Sequence, residues 1–316
     1  MKTLAWMVAS GALMLGSAVG EPPPAQPDEL RFLFITCCRD EAFFRPVKKG
    51  MTDAARAMQV RCEFTGTEGV DVKAQAAMVR KAVADGYHGI ALNIIDPTAF
   101  DDVVAEAVGR GVPVVAFNVD DHSTPNARLA AVCQDYLKAG RALATQALPS
   151  IPPNTKVLIT QHDVGISSLD DRMRGIQEVL ARHRIPWKVV CTTNDPPKAI
   201  EVVTRELKAD ASIRFVLATG LTDTEAAGRA IERDFAGQGY GAAGFDLAPE
   251  ILRLIQKGVI RMTTDQQPYI QGYYPVVQLA LFCRFGIRPS NIDAGAAIIT
   301  SKEVDRVVEL TRLGYR

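Results

Sequence analysis

The feature that most constrains the fold of this chain is a regular alternation of short β-rich runs with amphipathic helical runs. In the first part of the sequence, apolar residues recur at helical spacing between runs rich in β-branched and aromatic residues. The predicted strands are 31–37, 59–64, 89–95 and 112–119, and the predicted helices are 43–58, 72–84 and one that starts at Asp96-Pro97. This order predicts a parallel sheet with helices on both faces.

The same alternation returns in the second half of the chain. It predicts strands at 156–160, 187–192, 214–219 and 240–245, with helices at 171–183, 196–209 and 223–235. A length of 316 residues suggests two domains of about 150 residues each, and the junction at 120–125 is short and polar. We therefore predict an α/β fold of two doubly wound parallel-sheet lobes in close apposition.

Residues 1–20 are typical of a secretory signal peptide. Lys2 precedes an apolar stretch at 4–19 that is too short for a comfortable membrane span, and small residues stand at 18 and 20. A proline-rich spacer follows at 21–30. We expect an exported, periplasmic protein. A permanent membrane anchor is the alternative, because the positive flank is a single lysine.

Composition and motifs argue against several classes of function. The 36 basic residues balance 36 acidic ones, so nothing in the charge favours a nucleic-acid partner. The sequence has no G-x-S-x-G, P-loop or H-E-x-x-H motif. The glycine cluster at 237–244 runs into a strand, the reverse of a dinucleotide fingerprint. We predict no catalytic residue and no cofactor; the alternative is an exported enzyme that uses His162 with Asp163 as a general-base pair.

The six cysteines show no C-x-x-C or Cys/His metal spacing, so we predict no metal site, and the sequence leaves open whether any disulfide forms. Cys37 and Cys38 are adjacent at the end of the first predicted strand. Neighbouring side chains of an extended strand point to opposite faces. We therefore expect one of the two to face the core and the other the end of the strand.

Ligands of open parallel sheets bind beyond the carboxyl ends of the strands, so the residues after each strand are the candidate site. These positions combine carboxylates, amides, arginine and an aromatic pair, which suits the hydroxyls and C–H faces of a small polyhydroxy ligand. For Asp96, Asp195 and Asp223 we favour the alternative that they are helix N-caps. The candidate ligand-binding residues are Cys37, Glu41, Phe43, Phe44, Asn118, Arg172, Asn194, Thr222, Asp246 and Gln266.

Several short motifs, in this order and spacing, carry a resemblance to a known family. They are Phe43-Phe44, Val112-Pro113-Val114-Val115, Asp171-Arg172-Met173-Arg174-Gly175, Gly244-Phe245-Asp246 and the run 265–273, DQQPYIQGY. With these motifs the chain resembles type I periplasmic sugar-binding proteins of the ribose/galactose-binding type, which serve ABC importers. The resemblance covers about residues 30–315.

The resemblance implies two lobes joined by a three-segment hinge that closes over the ligand. The N-terminal lobe would comprise 31–120 and 267–294, and the C-terminal lobe 121–266 and 295–316. The polar run 264–274 would be the third crossing between the lobes, followed by a helix from Pro268. Phe43 and Phe44 would sandwich a sugar ring, Arg172 would donate to its hydroxyls, Asp246 would accept from them, and Gln266 would close the hinge side.

Two departures leave the identity of the sugar open. The fourth strand of relatives usually ends in Asp-Arg, whereas this chain has Asn118-Val119, and an aromatic residue common in the second lobe is replaced by Asn194. The resemblance implies a monomer that captures a sugar or polyol for import by a membrane permease and ATPase. The alternative is a sensory module that presents a similar solute to a membrane kinase or chemoreceptor.

Overall fold

The computed structural model describes residues 29–96, 98–120 and 126–316. The predicted signal peptide, most of the predicted spacer, Pro97 and the predicted junction at 121–125 lie outside these ranges. Among the helices of the described ranges, none is long and apolar enough to span a bilayer.

The described elements alternate as the sequence pattern predicts. In the first part of the chain they are β1 (Arg31–Thr36), α1 (Phe44–Met58), β2 (Arg61–Gly66), α2 (Val72–Ala84), β3 (Gly89–Leu92), α3 (Asp101–Gly109), β4 (Val114–Asn118) and β5 (Ala130–Cys133). The remainder comprises α4 (Tyr136–Ala147), β6 (Lys156–Gln161), α5 (Ser167–Arg182), β7 (Trp187–Cys191), α6 (Pro196–Ala209), β8 (Ile213–Ala218), α7 (Leu221–Asp234), β9 (Gly241–Phe245), α8 (Pro249–Gln256), β10 (Ile260–Asp265), α9 (Pro268–Phe285), β11 (Ile292–Asp293), β12 (Ala297–Thr300) and α10 (Val304–Arg312).

Two sheets form the centres of two lobes. The first has the strand order β11-β5-β4-β3-β1-β2, and its strands are parallel. The second has the order β12-β10-β9-β8-β6-β7 and is parallel apart from β12, which pairs antiparallel with β10. The predicted architecture of two doubly wound lobes is confirmed.

Strand β1 shows why the sheets are covered on both faces. Phe32 and Phe34 pack into one apolar cluster with residues of α1 and α9, while Leu33 and Ile35 pack into another with residues of α2 and α3. Successive side chains of a strand point to opposite faces. A strand that is apolar at every position must therefore lie inside a parallel sheet with helices on both sides.

The chain crosses between the lobes three times in the described ranges. The first crossing is 134–135, between β5 and α4; the second is 266–267, between β10 and α9; the third is 294–296, between β11 and β12. Helix α4 packs on α5 and β10, whereas α9 packs on α1 and β4. The run 264–274 is thus the second crossing, not the third, because the chain returns to the second sheet once more at β12.

The predicted lobe boundary at residue 120 lies before β5. This strand pairs with β4 through four residues, from Val115 with Ala130 to Asn118 with Cys133. Residues 130–133, predicted to lie in the C-terminal lobe, therefore belong to the first sheet. The change of lobe comes at Gln134, between the end of β5 at Cys133 and the start of α4 at Tyr136.

Glycines allow the helices of each lobe to touch backbone to backbone. A Cβ atom at Gly50 of α1 would lie 2.0 Å from the carbonyl oxygen of Tyr269 in α9. In the second lobe, a Cβ atom at Gly140 of α4 would lie 2.1 Å from the carbonyl oxygen of Arg172 in α5. Only glycine fits at such an approach. In the second lobe, the contact fixes the helix that carries Arg172.

Candidate functional site between the lobes

A cavity of about 120 Å³ lies between the carboxyl edges of the two sheets. Every predicted ligand-binding side chain except Thr222 lines it. The first lobe contributes Cys37, Cys38, Glu41, Phe43, Phe44, Asn93 and Asn118, and the second lobe and the second crossing contribute His162, Asp163, Arg172, Asn194, Asp246 and Gln266.

The aromatic pair forms one corner of the cavity. The ring centroids of Phe43 and Phe44 are 5.2 Å apart, and the ring planes stand at 85°. Phe44 also packs on Phe64, with centroids 5.7 Å apart, and is buried in the core of the first lobe. Two rings in direct edge-to-face contact leave no gap for a third ring, so the expected sandwich between them is wrong.

Arg172 reaches the cavity from the buried face of α5. Its Nε and Nη2 donate to Oε1 of Gln134 at 3.1 and 2.9 Å, and Nη1 donates to the carbonyl oxygen of Thr219 at 3.0 Å. The guanidinium carbon lies 4.2 Å from the ring centroid of Phe245. Burial lowers the pKa of Arg172, and the charge of nearby Asp246 opposes that shift. The side chain is a fixed, desolvated donor.

Asp246 follows β9 in a left-handed conformation, with φ of 75°. Asp tolerates this region better than most residues. Its Oδ1 accepts from Nε2 of Gln266 at 2.6 Å. Burial raises the pKa of Asp246, and the Arg172 charge and the Gln266 hydrogen bond oppose that rise. A donor and an acceptor of opposite charge thus meet at the second-lobe wall of the cavity.

A chain of side-chain amides connects the first lobe to the second crossing. Nδ2 of Asn93 donates to Oδ1 of Asn118 at 2.9 Å, and Nδ2 of Asn118 donates to Oε1 of Gln271 at 3.1 Å. Nε2 of Gln271 then donates to the carbonyl oxygen of Gln266 at 2.6 Å and to its Oε1 at 3.3 Å. We call Asn93, Asn118, Gln271 and Gln266 the amide chain. All four are buried.

The lobes also meet directly at the edge of the cavity. Nδ2 of Asn194, after β7, donates to Oε1 of Glu41, after β1, at 3.2 Å. Thr222 does not reach the cavity; its hydroxyl donates to Oδ1 of Asn194 at 2.6 Å. It therefore orients Asn194 rather than lining the site. The lobes are in contact across the cavity, as expected of a closed arrangement.

His162, which lines the cavity, is hydrogen-bonded to Asp223 behind it. Nδ1 of His162 lies 2.9 Å from Oδ1 of Asp223, and Asp223 also accepts from the backbone N–H groups of Thr219 and Gly220 at 2.7 and 3.0 Å. Asp223 is the third residue of α7, within its N-terminal turn, rather than the N-cap itself. Burial acts to lower the pKa of His162, but the hydrogen bond and charge of Asp223 raise it overall.

Asp195 is the N-cap of α6, where it accepts from the backbone of Lys198 at 3.2 Å. Asp96 accepts from the backbone of Thr98 and Ala99. It closes a turn before α3, which begins five residues later at Asp101.

Both adjacent cysteines line the cavity, and Cys37 also packs against an apolar cluster of the first lobe, as expected of one member of the pair. Strand β1 ends at Thr36, and Cys38 has a left-handed φ of 50°. The alternation of an extended strand therefore stops before the pair. Sγ of Cys37 donates to Oδ1 of Asn93 at 3.6 Å. In the described ranges, no group of three or more His, Cys, Asp and Glu side chains could hold a metal ion.

Sequence reasoning missed two members of the amide chain. Asn93 lay inside the predicted strand 89–95, but β3 ends at Leu92 and leaves Asn93 at the strand end. Gln271 lies in the first turns of α9 rather than at a strand end, and its contacts with Asn118 and Gln266 appear only in the folded structure. The strand-end rule would have found Asn93 had the strand boundary been right.

Comparison with known proteins supports a single family. The model of the periplasmic binding protein domain family matches residues 32–285. A xylose/arabinose-binding protein of Sulfolobus acidocaldarius is 27% identical over 294 residues, which cover 87% of this chain and 72% of that protein. A xylitol-binding protein of Mycolicibacterium smegmatis is 26% identical over 179 residues, which cover 56% of this chain and 50% of that protein.

A solved structure shows the same fold. It is a carbohydrate transporter from Acidothermus cellulolyticus in complex with myo-inositol, similar to this chain with a TM-score of 0.81 and 26% identity. The match covers 91% of this chain and 100% of the other.

Proposed function

This chain belongs to the periplasmic binding protein domain family, and we propose that it captures a neutral pentose, pentitol or cyclitol between its lobes and delivers it to an ABC-type importer. The observation that carries the proposal is the convergence of Arg172, Asp246 and Gln266 on one small cavity beside Phe43. The family consists of binding proteins, and the function needs no cofactor or catalytic group.

The size of the cavity supports a small ligand. The cavity, at about 120 Å³, is smaller than the roughly 300–1,000 Å³ that is usual for sites of drug-sized ligands. It therefore suits a single pentose, pentitol or cyclitol better than a disaccharide.

The lining supports a neutral, hydroxyl-rich ligand. Arg172 can only donate and ionised Asp246 can only accept, while the amides of Asn118 and Gln266 do both. A hydroxyl group is both donor and acceptor and can pair with any of them. Phe43 offers an apolar surface for C–H groups. The named ligands of the relatives, xylose or arabinose, xylitol and myo-inositol, belong to this chemical class.

The three crossings support capture by hinge closure. They are held together by hydrogen bonds, from Nε2 of Gln267 to the carbonyl oxygen of Ala294 at 2.7 Å and from Nε2 of Gln134 to that of Gly295 at 2.7 Å. Rotation about such adjacent segments opens and closes two rigid lobes. The family implies a location outside the cytoplasm. The proposal further includes export directed by residues 1–20. The protein then acts as a monomer that delivers its ligand to a membrane permease and ATPase.

Calorimetry and thermal unfolding with D-xylose, L-arabinose, xylitol, myo-inositol and D-glucose test the proposal. At least one of the five-carbon ligands or myo-inositol should bind with micromolar affinity, and 100-fold excess over Kd should stabilise the protein by about 2.7 kcal/mol. Arg172→Ala should abolish binding, whereas Arg182→Ala, an exposed position on the same helix, should bind as the unchanged protein does. Absence of binding across the whole panel would contradict the proposal.

A further inference from the structure

Capture of a polyol does not explain why two adjacent thiols line the cavity wall. Cys37 and Cys38 both line the cavity, and both are half-buried free thiols. The other cysteines do not line this cavity: Cys62 and Cys283 are half-buried, Cys133 is buried and Cys191 is exposed on β7. A small reagent that enters the cleft therefore meets two adjacent thiols.

The backbone turns both cysteine side chains toward the same cavity. Cys38 adopts a left-handed conformation, with φ of 50°, which a residue with a Cβ atom rarely adopts without a structural reason. The N–H of Glu41 donates to the carbonyl oxygen of Cys38 at 3.0 Å, and the N–H of Arg39 to that of Thr67 at 3.0 Å. This turn is what places both side chains on the cavity side.

The two thiols differ in reactivity. The interaction between the two thiols lowers the pKa of Cys38 and, together with burial, raises that of Cys37. Burial and the nearby carboxylates Glu41 and Asp163 oppose the lowering at Cys38. Because the thiolate is the nucleophile in exchange with disulfides, Cys38 is the attacking residue of the pair.

The thiol of Cys37 also belongs to the binding site. Its Sγ donates to Oδ1 of Asn93, the first residue of the amide chain that ends at Gln266 beside Asp246. Asn93 is almost fully buried, with 1% of its surface exposed. Loss of the S–H group leaves a buried amide oxygen without that donor, at the head of a chain that holds the ligand-facing amides in place.

From these contacts we propose that Cys37 and Cys38 form a redox-sensitive modification site. A small disulfide oxidant joins the two adjacent residues by a disulfide, and the oxidised protein binds its solute more weakly. The oxidation rests on two adjacent free thiols that line one cavity and does not depend on the proposed function. Its effect on affinity rests on the proposed function.

The chemistry balances with a glutathione-type disulfide as the oxidant. The Cys38 thiolate attacks one sulfur of the oxidant, a mixed disulfide forms, and one thiolate of the oxidant leaves. The Cys37 sulfur then attacks Sγ of Cys38 and expels the second thiolate, while its proton passes to the leaving group. Two protein thiols are oxidised to one disulfide, and one oxidant disulfide is reduced to two thiols.

The product is readily reversible for a geometric reason. The Cα atoms of adjacent residues are about 3.8 Å apart across a trans peptide, whereas most disulfides join Cα atoms about 4.4–6.8 Å apart. A disulfide in so small a ring is strained and is therefore easily reduced. Such a bond suits a switch rather than a permanent crosslink.

The test equilibrates the Cys191→Ser variant, which lacks the exposed thiol, in glutathione buffers from fully reduced to fully oxidised. Free thiols are then blocked with N-ethylmaleimide, and the peptide that contains both cysteines is analysed by mass spectrometry. We expect this peptide to lose two hydrogens and to escape alkylation as the buffer becomes oxidising. Cys38→Ser should instead stop at a glutathione adduct or a free thiol at Cys37.

Binding of D-xylose and xylitol is measured by calorimetry on the fully reduced and fully oxidised samples. We expect affinity to fall by about two- to tenfold on oxidation, the range that corresponds to one lost hydrogen bond, and to recover on reduction. Cys283→Ser keeps the pair and should show the same change. Full alkylation of both thiols under the most oxidising buffer, or an affinity unchanged by a disulfide that does form, would overturn the inference.

The two parts of the result can be separated. If none of the sugars or polyols binds in either state, the proposed function fails, whereas the mass of the peptide still decides whether the site oxidises. Should Cys38→Ser fail to fold, Cys37→Ser is the second variant, since either substitution removes one thiol of the pair.

Discussion

Gln134 connects the hinge to the binding site through the two ends of one amide. Its Nε2 donates to the carbonyl oxygen of Gly295 in the third crossing at 2.7 Å, and its Oε1 accepts two hydrogen bonds from Arg172. The residue that carries the charge on the cavity wall is therefore held by the same side chain that ties two crossings together. Closure of the lobes and orientation of Arg172 are structurally coupled.

Gln134→Ala should impair both roles. Two buried N–H groups of Arg172 would lose their acceptor, which costs about 1–3 kcal/mol of folding free energy, and affinity for the ligand should fall at least tenfold. Gln134→Glu keeps an acceptor for Arg172 but not the donor to Gly295, so its loss of affinity should be smaller. Urea unfolding and calorimetry on both variants measure the difference. Equal affinity in Gln134→Ala and the unchanged protein would show that Arg172 is held by other contacts.

Gly140→Ala tests how far stability and ligand binding depend on the close packing of α4 on α5, without changing a side chain that lines the cavity. The added Cβ atom would lie 2.1 Å from the carbonyl oxygen of Arg172, so α4 and α5 must move apart, at a cost of about 1–3 kcal/mol. Binding should weaken as well, because Arg172 moves with α5. Gly109→Ala, at the last residue of α3, is the control: outside its own turn no atom lies within 4 Å of the added carbon, and the change should stabilise the protein by at most about 0.4–1 kcal/mol, because the unfolded chain loses freedom. Thermal unfolding and ligand titration of both variants check this.

The His162–Asp223 pair predicts a dependence of stability on pH. The pKa of His162 is raised above its ordinary 6.5, because the hydrogen bond and charge of Asp223 outweigh the lowering by burial. A raised pKa of a base stabilises the fold fully below pH 6.5, and that contribution disappears as pH rises through the folded-state value. His162→Gln should therefore cost more free energy of unfolding at pH 5.5 than at pH 9.

Urea unfolding at a series of pH values measures this difference, with His183→Gln, at the exposed end of α5, as the control. A cost of His162→Gln that is the same at every pH would mean that the pair contributes only as a neutral hydrogen bond.

The contact between Glu41 and Asn194 should affect ligand release more than folding. It joins the two lobes through one hydrogen bond of 3.2 Å at an exposed position, so its loss should leave unliganded stability nearly unchanged. Ligand affinity should fall by about two- to tenfold, mainly through faster dissociation, since the closed state loses one contact. Stopped-flow dissociation of Glu41→Ala, Asn194→Ala and the double variant tests this. If the two single effects simply add, the residues do not act through each other.

Much of the fold could be predicted from sequence because the signals are strong where elements are long and periodic. Helix 72–84 and the helix starting at Pro196 match the structure residue for residue. The four-residue strand β5 was missed since so short an apolar run carries no measurable period. That omission alone moved the predicted lobe boundary from Gln134 to residue 120.

The site was predicted less completely, because which side chains reach the cavity depends on the tertiary structure. The strand-end rule identifies Asn118, Asp246 and Gln266 because it follows from how parallel sheets bind ligands. It cannot distinguish Asn194, which lines the cavity, from Thr222, which stands behind it. Nor can it foresee the backbone turn at Cys38, since that conformation depends on hydrogen bonds with residues distant in sequence.

The glycine contacts in the two lobes have a mechanical consequence. At Gly50 and at Gly140, main chain rests on main chain, and no flexible side chain lies between the helices to absorb displacement. Each lobe should therefore rotate as a rigid body about the crossings, so that a small rotation near Gln134 gives a large displacement at Asn194. A docking protein could then distinguish the liganded from the unliganded state by the distance between the outer ends of the two lobes.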